Sequence, residues 1–528
     1  MEQSSGDGGD LAAKRPDLSP SGAGAGEDRL SALPEDILVL ILLRLDTITE
    51  AARTSVLSRR GRRTWALLPE LTFHSAPDHR HIREVLEATK APALREILVF
   101  TKDDAPDSVA AWLPLAARRL SGTLLYHNHN TVEEYGYEED DETEAAIPLP
   151  CFRNATAIDL DLGFMPLCCP SSGAFTRLTE LCLERVRFQG TCELGDVVSW
   201  PRCPGLRKLR IRHAWGVARL TVRSESLLQM DLLRVNGLQQ LNVDAPLLNL
   251  FLLRHCLTRD QPQPIANISA PLLITLVWMD VYDSSYVHLG NLGQLQQLGP
   301  NVIVVYGNHH SGHNREVLRF LQHFQIIHKL KIVLGYPQGD IGNFQYLMED
   351  ITRLPHVTFL TLLVMNEGHA FGASSFHVLR LCTGIRKLSL VLLPSCNSET
   401  QSTCPSGCIC DESANWKIEN LSLNCLREVE ITDLSGAECE VAFLKQLFKW
   451  AGVLEKLRIT FDYSVSKSKV KEVCQRLSSI SRPETLIEFC MYRNSGRGSM
   501  DFLSLKDEGT GIHESQRKFR LSIKEFAA

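Results

Sequence analysis

Leu206-Arg-Lys-Leu-Arg-Ile211, Val217-Ala-Arg-Leu-Thr-Val222, Leu227-Leu-Gln-Met-Asp-Leu232 and Leu238-Gln-Gln-Leu-Asn-Val243 repeat one six-residue phrase, apolar at its first, fourth and sixth places. The last two apolar places flank a polar one, the alternation of a short strand with one buried face. The phrase recurs upstream as Leu178/Leu181/Leu183. Downstream it continues as Leu247/Leu250/Leu252, Leu273/Leu276/Trp278, Ile327/Leu330/Ile332, Val357/Leu360/Leu362 and Ile385/Leu388/Leu390, then Ile418/Leu421/Leu423, Leu426/Val429/Ile431 and Leu454/Leu457/Ile459. Steps of roughly 20 to 33 residues are the period of a solenoid. A coil that small cannot bury its own apolar row, so stacked neighbours supply the core.

Within residues 206–273 the copies fall into two classes. Those beginning at 206, 227, 247 and 273 follow Cys203-Pro-Gly205, Ser224-Glu-Ser226, Asp244-Ala-Pro246 and Ser269-Ala-Pro271, while those at 217 and 238 follow Trp215-Gly216 and Asn236-Gly237. Alternation of the two classes predicts two short strands per turn, one lining the concave face and the other the opposite wall. The repeated leucines read as core. Recognition should therefore fall on exposed side chains and inter-repeat loops, among them Asp280–Leu289, with Tyr282, Tyr286 and His288, and the His-containing loop Gly307–Asn314.

A different pattern precedes the repeats. Pro34 suits the first turn of a helix and Glu35 and Asp36 its positive end. The residues that follow, Ile37 to Leu43, are apolar around most of the cylinder, so this helix needs burial on more than one side. A partner chain is the natural second surface. Thr47-Ile-Thr-Glu50 fits a capping box opening the next helix.

Leu33-Pro-Glu-Asp-Ile-Leu38, followed by Ala52-Arg-Thr-Ser-Val-Leu-Ser-Arg-Arg60 and Trp65, resembles the F-box of plant proteins, with Gly61 where that family usually has a core Trp. The repeats resemble the irregular leucine-rich repeats that follow the F-box in a large plant family. Cys425-Leu-Arg-Glu-Val-Glu-Ile431, Gly436, Glu438, Glu440, Leu444, Leu447 and Leu454-Glu-Lys-Leu-Arg-Ile459 resemble its appended FBD segment. That last stretch reads as a strand, a helix from about Glu438 to Trp450 and another strand, capping the array.

The resemblance implies an α/β chain, an N-terminal three-helix F-box followed by an irregular leucine-rich-repeat solenoid. The expected parts are a disordered leader (1–27), the F-box (28–73), the start of the solenoid (74–150) with an acidic disordered insertion (131–145), the main solenoid (151–420), FBD-like terminal repeats (421–492) and a flexible tail (493–528). It further implies a substrate-recognition subunit of a Skp–cullin–F-box ubiquitin ligase. Leu33, Pro34, Ile37, Leu38, Ile41 and Leu42 would grip the Skp-family adaptor and through it a cullin, with Leu45 and Leu57 in support. The target-binding residues are left unassigned. The alternative is a leucine-rich-repeat binder outside ubiquitination with a degenerate F-box.

Composition and motifs narrow the function classes. A net charge of −6 argues against a broad nucleic-acid footprint, and the longest apolar run is far too short to span a bilayer. Sixteen cysteines in 528 residues, without a secretory signal, suit free thiols in cytoplasm or nucleus. Glu133–Glu144 holds eight acidic residues and no basic one and reads as a solvated loop. Cys404, Cys408 and Cys410 have no second well-spaced pair, and His309, His310 and His313 have no acidic partner, so neither group reads as a metal site. No P-loop, zinc-protease or nucleophile-elbow motif is present. No catalytic residue, metal or cofactor is expected.

Overall fold

The computed structural model describes residues 33–45, 47–56, 61–74, 78–129, 145–190, 193–257, 263–308, 312–393, 408–412, 414–491 and 519–521. Expectations for the leader, Leu57 and all but the last residue of the acidic insertion fall outside them.

Two short helices open the chain, α1 (Glu35–Leu42) and α2 (Ile48–Arg53), with a helical turn at Gly61–Leu67. The Thr47 side chain accepts a hydrogen bond from the Glu50 amide, the capping geometry that ends the loop and starts α2. Leu42, Ile48 and Ala51 bind this unit to the main core. The segment expected to close the F-box does not stand apart. Glu70–Phe73 is already the first strand of the solenoid, pairing in parallel with Leu94–Thr101.

From there one parallel sheet runs nearly the length of the molecule. Its strands Leu94–Thr101, Leu120–Asn128, Ala157–Asp161, Glu180–Gln189, Lys208–Trp215, Gln229–Val235, Leu250–Arg254, Thr275–Met279 and Gln297–Gly299 pair in succession. It continues through Ile326–Gly335, His356–Met365, Lys387–Leu392, Glu428–Leu434, Lys456–Phe461 and Leu486–Met491. Parallel neighbours need a crossover. Helices His79–Ala88 and Pro106–Arg119 provide it near the start, and His313–Gln322, Gly372–Leu381, Glu438–Trp450 and Lys467–Ile480 later.

Between residues 219 and 289 the crossovers are strands instead. Arg219–Arg223, Gln240–Asp244, Ile265–Ser269 and Val287–Leu289 form a second parallel sheet. The two strand classes of the sequence are thus two sheets. Gly216, at the turn between them, has φ +80° and lies so close to Phe188 O that a Cβ would stand 2.2 Å from it.

Two repeat copies need correction. The buried row runs Leu206/Leu209/Ile211, Leu227/Met230/Leu232, Leu248/Phe251/Leu253, Leu273/Leu276/Trp278. The copy expected at Leu247/Leu250/Leu252 is therefore shifted by one place, and a one-residue shift exchanges the faces of a strand. Leu247 is exposed and Leu252 points away from the core. Ile418, expected to open another copy, is 81% exposed and lies outside any strand, because the chain there is finishing a helical turn, Ala414–Lys417. Of the tail expected to be flexible, Phe519–Leu521 pairs antiparallel with Leu486–Met491.

A backbone device recurs at the end of successive strands. Arg185, His213, Arg234 and His255 all adopt φ between 46° and 54°. The register runs from Arg212↔Leu233 to Ala214↔Val235, passing over His213 and Arg234 one for one. The same left-handed residue recurs coil after coil, interrupting the ladder at one level without shifting its register.

Candidate adaptor and target surfaces

Helix α1 is amphipathic in an inverted sense. Leu42 faces the core, Leu38, Val39 and Leu43 are half-buried, and Ile37, Leu40, Ile41 and Leu45 remain 37–57% exposed beside exposed Pro34. Single exposed leucines are ordinary, but an apolar patch this continuous marks an interaction surface. Of the residues expected to grip an adaptor, Pro34, Ile37, Ile41 and Leu45 lie together on this open face, and Leu33 and Leu38 lie at its margin. Leu42 does not belong with them, because its side chain is spent anchoring the helix. Leu40, on the open face, was not among the expected residues; its helical position next to Ile37 and Ile41 was the available signal.

The second surface is the face of the long sheet turned away from the core. Register brings Arg210, Asp231, Leu252 and Val277 into one row. Asp231 accepts hydrogen bonds from Arg212 and Arg254, each at 2.7 Å, and has Arg210 at 3.7 Å. Three guanidinium groups thus share one carboxylate. Next along the sheet, Lys331 has no carboxylate within ion-pair distance among the described residues. Burial, then Arg254 and Lys329, lowers its pKa. Burial also lowers His255, with Arg234 and Arg254 adding to the effect. Both shifts reflect positive charge gathered partly out of water.

The floor between the cations is apolar. Leu252, Val277, Val333 and Leu363 are buried yet separate from the main core. Gly299 leaves space there, since a Cβ on it would meet Val277 at 3.3 Å. Phe359 lies between Lys329 and Lys387, whose ammonium groups stand 4.9 and 5.1 Å from its ring centre. The face therefore offers apolar contact with cationic margins, a chemistry suited to an acidic, partly apolar segment.

The loops singled out from sequence serve the scaffold more than the surface. Asp280 and Tyr282 are buried, whereas Tyr286 and His288 are exposed. His288 ends a polar ladder on the second sheet in which the Asn267 amide donates to Asn242 at 2.8 Å. His313 begins a helix and bonds the Val302 carbonyl through Nε2 at 2.6 Å, while His309 and His310 lie outside the described residues. No helix among the described residues is long and apolar enough to cross a membrane.

Comparison with known proteins gives a consistent picture. A family model described as the LRR repeats of FBD-associated F-box protein At5g56370 matches residues 112–294. The F-box/FBD/LRR-repeat protein At4g03220 of Arabidopsis thaliana is 25% identical over 322 residues, 60% of this chain and 64% of the relative. F-box protein At1g60400 of the same plant is 30% identical over 188 residues, 33% and 44% of the two chains. F-box/FBD/LRR-repeat protein At3g52680, also of that plant, is 27% identical over 266 residues, 47% and 54%. The chain spans less than two thirds of the length of these curated relatives.

Proposed function

The chain belongs to the plant F-box/FBD/LRR-repeat family, and from that premise we propose that it is the substrate-recognition subunit of a Skp–cullin–F-box ubiquitin ligase. The observation that supports this most directly is the open apolar face of α1, made by Pro34, Ile37, Leu40, Ile41 and Leu45. These residues would dock the Skp-family adaptor, with Leu33 and Leu38 at the rim. Leu57 would belong to the same contact.

The open face of the long sheet would hold the target. Its cations, Arg210, Arg212, Arg254 and Lys331, with the apolar floor of Leu252, Val277, Val333 and Leu363, favour an acidic segment carrying apolar side chains. The subunit makes and breaks no bond. It raises the concentration of target lysines near the ubiquitin thioester by holding both on one rigid frame. Such a role places the protein in cytoplasm or nucleus.

The test is co-purification of the full chain with a Skp-family adaptor, comparing the native protein with Ile37→Asp/Ile41→Asp. Stoichiometric co-elution with the native chain, lost in a variant with an unchanged circular dichroism spectrum, is the expected result. A folded native chain that leaves the adaptor unbound removes the ligase reading. The protein would then be a leucine-rich-repeat binder outside ubiquitination, with Gly61 the first position to repair.

A further inference from the structure

We propose that His369, Cys408 and Cys410 form a zinc site that pins the segment Cys408–Lys417 onto the solenoid. The three side chains come from two separate stretches of sequence, all three are buried, and their ligand atoms lie within 4.8 Å of one another. Cys408 Sγ stands 3.7 Å from His369 Nδ1. Two ligands on a tetrahedral zinc, with Zn–S of about 2.3 Å and Zn–N of about 2.0 Å, are separated by about 3.5 Å. The observed spacing is therefore close to that of an edge of the coordination tetrahedron.

The surroundings favour ligation as well. His369 Nε2 donates to the Gly339 carbonyl at 3.0 Å, which fixes the tautomer with the Nδ1 lone pair facing the two sulfurs. Tyr336 stacks on the imidazole at 6.1 Å and holds its plane. The Ala370 amide donates to Cys410 Sγ at 3.5 Å, the kind of bond that stabilises a thiolate. Binding would replace the two thiol protons with one divalent ion, releasing both protons to solvent and leaving a complex that is neutral overall. Neither sulfur changes oxidation state. The fourth position would be filled by water.

The consequence is structural. Ile409–Glu412 and Ala414–Lys417 are short helical pieces of four residues each. Trp416 at their end packs on Gly372, so close that a Cβ there would meet its ring at 2.2 Å. A metal linking this segment to His369, just ahead of the helix Gly372–Leu381, would fix where that indole sits.

Zinc is to be measured by elemental analysis on the full chain purified without chelator, beside Cys408→Ser/Cys410→Ser and a control, Cys425→Ser, at an exposed cysteine. About one zinc per chain is expected in the native and control proteins, and a tenfold or greater loss in the double variant. Because the variant could lose metal by misfolding, the native chain is also stripped and loaded with cobalt(II), where thiolate-to-metal charge-transfer bands and tetrahedral visible bands are expected. Zinc content near zero in the native chain with no cobalt bands overturns the site. So does zinc that survives the double substitution, which would place the metal elsewhere.

Discussion

Asp280 is a buried carboxylate whose cost should be readable in the pH dependence of stability. It is 7% exposed, its Oδ1 accepts from the backbone amides of Cys256 and Leu257 at 2.8 and 2.9 Å, and its Oδ2 has no partner among the described residues. Burial raises its pKa from 3.8 to about 7, the two amide bonds offsetting only part of the effect. The native state therefore keeps the proton through a range in which the unfolded chain has lost it, and stability falls as pH rises from about 4 to about 7. At about 1.4 kcal/mol for each pH unit, the loss amounts to about 4 kcal/mol at most. Asp280→Asn keeps an acceptor for both amides and cannot ionise. The difference in unfolding free energy between variant and native then isolates this residue, because the other titrating groups cancel. Urea unfolding of both proteins in steps from about pH 4.5 to 8.5, with hydrogen exchange of the Cys256 and Leu257 amides as a local reading, should show the variant gaining about 2–4 kcal/mol on the native protein up to neutrality and little beyond. Parallel profiles across that range would refute the account of Asp280 as a charge buried at a cost.

Other perturbations have defined outcomes. Trp416→Ala should destabilise by about 3–5 kcal/mol, since the ring is 8% exposed and packs with Phe443 and Trp450 at 6.0 and 6.2 Å; thermal unfolding checks it. Gly372→Ala should cost about 1–3 kcal/mol by driving a methyl into that same indole, and Trp416→Leu in the same chain should recover part of the loss. Lys331→Met should raise stability by about 1 kcal/mol, because the cation is half-buried without a carboxylate partner among the described residues. Peptides selected against the full chain should combine Asp or Glu with Leu, Ile or Phe and be lost on Lys331→Glu; selection of basic peptides would contradict the proposed target face.

The repeat was legible because a half-buried strand writes its period directly into the sequence, as at Leu227/Met230/Leu232, where every apolar place is a core place. Phe251 hid the register of the next coil. Leucines at 247, 248, 250, 252 and 253 satisfy the phrase in two frames, and only pairing with Met230 chooses between them. The helices His79–Ala88 and Pro106–Arg119 were not singled out, the second because Pro114 interrupts its pattern. Pro114 stands inside this helix, where it removes one hydrogen bond, yet Trp112 and Leu113 still reach the core. The α1 face was readable as apolar, but which side stayed open depended on Leu42 finding the solenoid. The cationic face proposed to hold the target could not be read at all. Asp231 meets Arg212 and Arg254 only through lateral pairing of strands, and His369 meets Cys408 across a crossover helix.

The left-handed residue shared by successive coils, Arg185, His213, Arg234 and His255, has a bearing on how such a chain can change its length. A left-handed residue at one fixed level ties each coil to the next like threads of equal pitch on a screw. Removing a few residues would set one thread out of step and exchange inner for outer side chains along everything downstream. Removing or duplicating a whole coil, roughly 20–29 residues, would leave every thread engaged. The grain of heritable variation in this molecule is accordingly the coil, and relatives of unequal length should differ by whole coils before they differ by fractions of one.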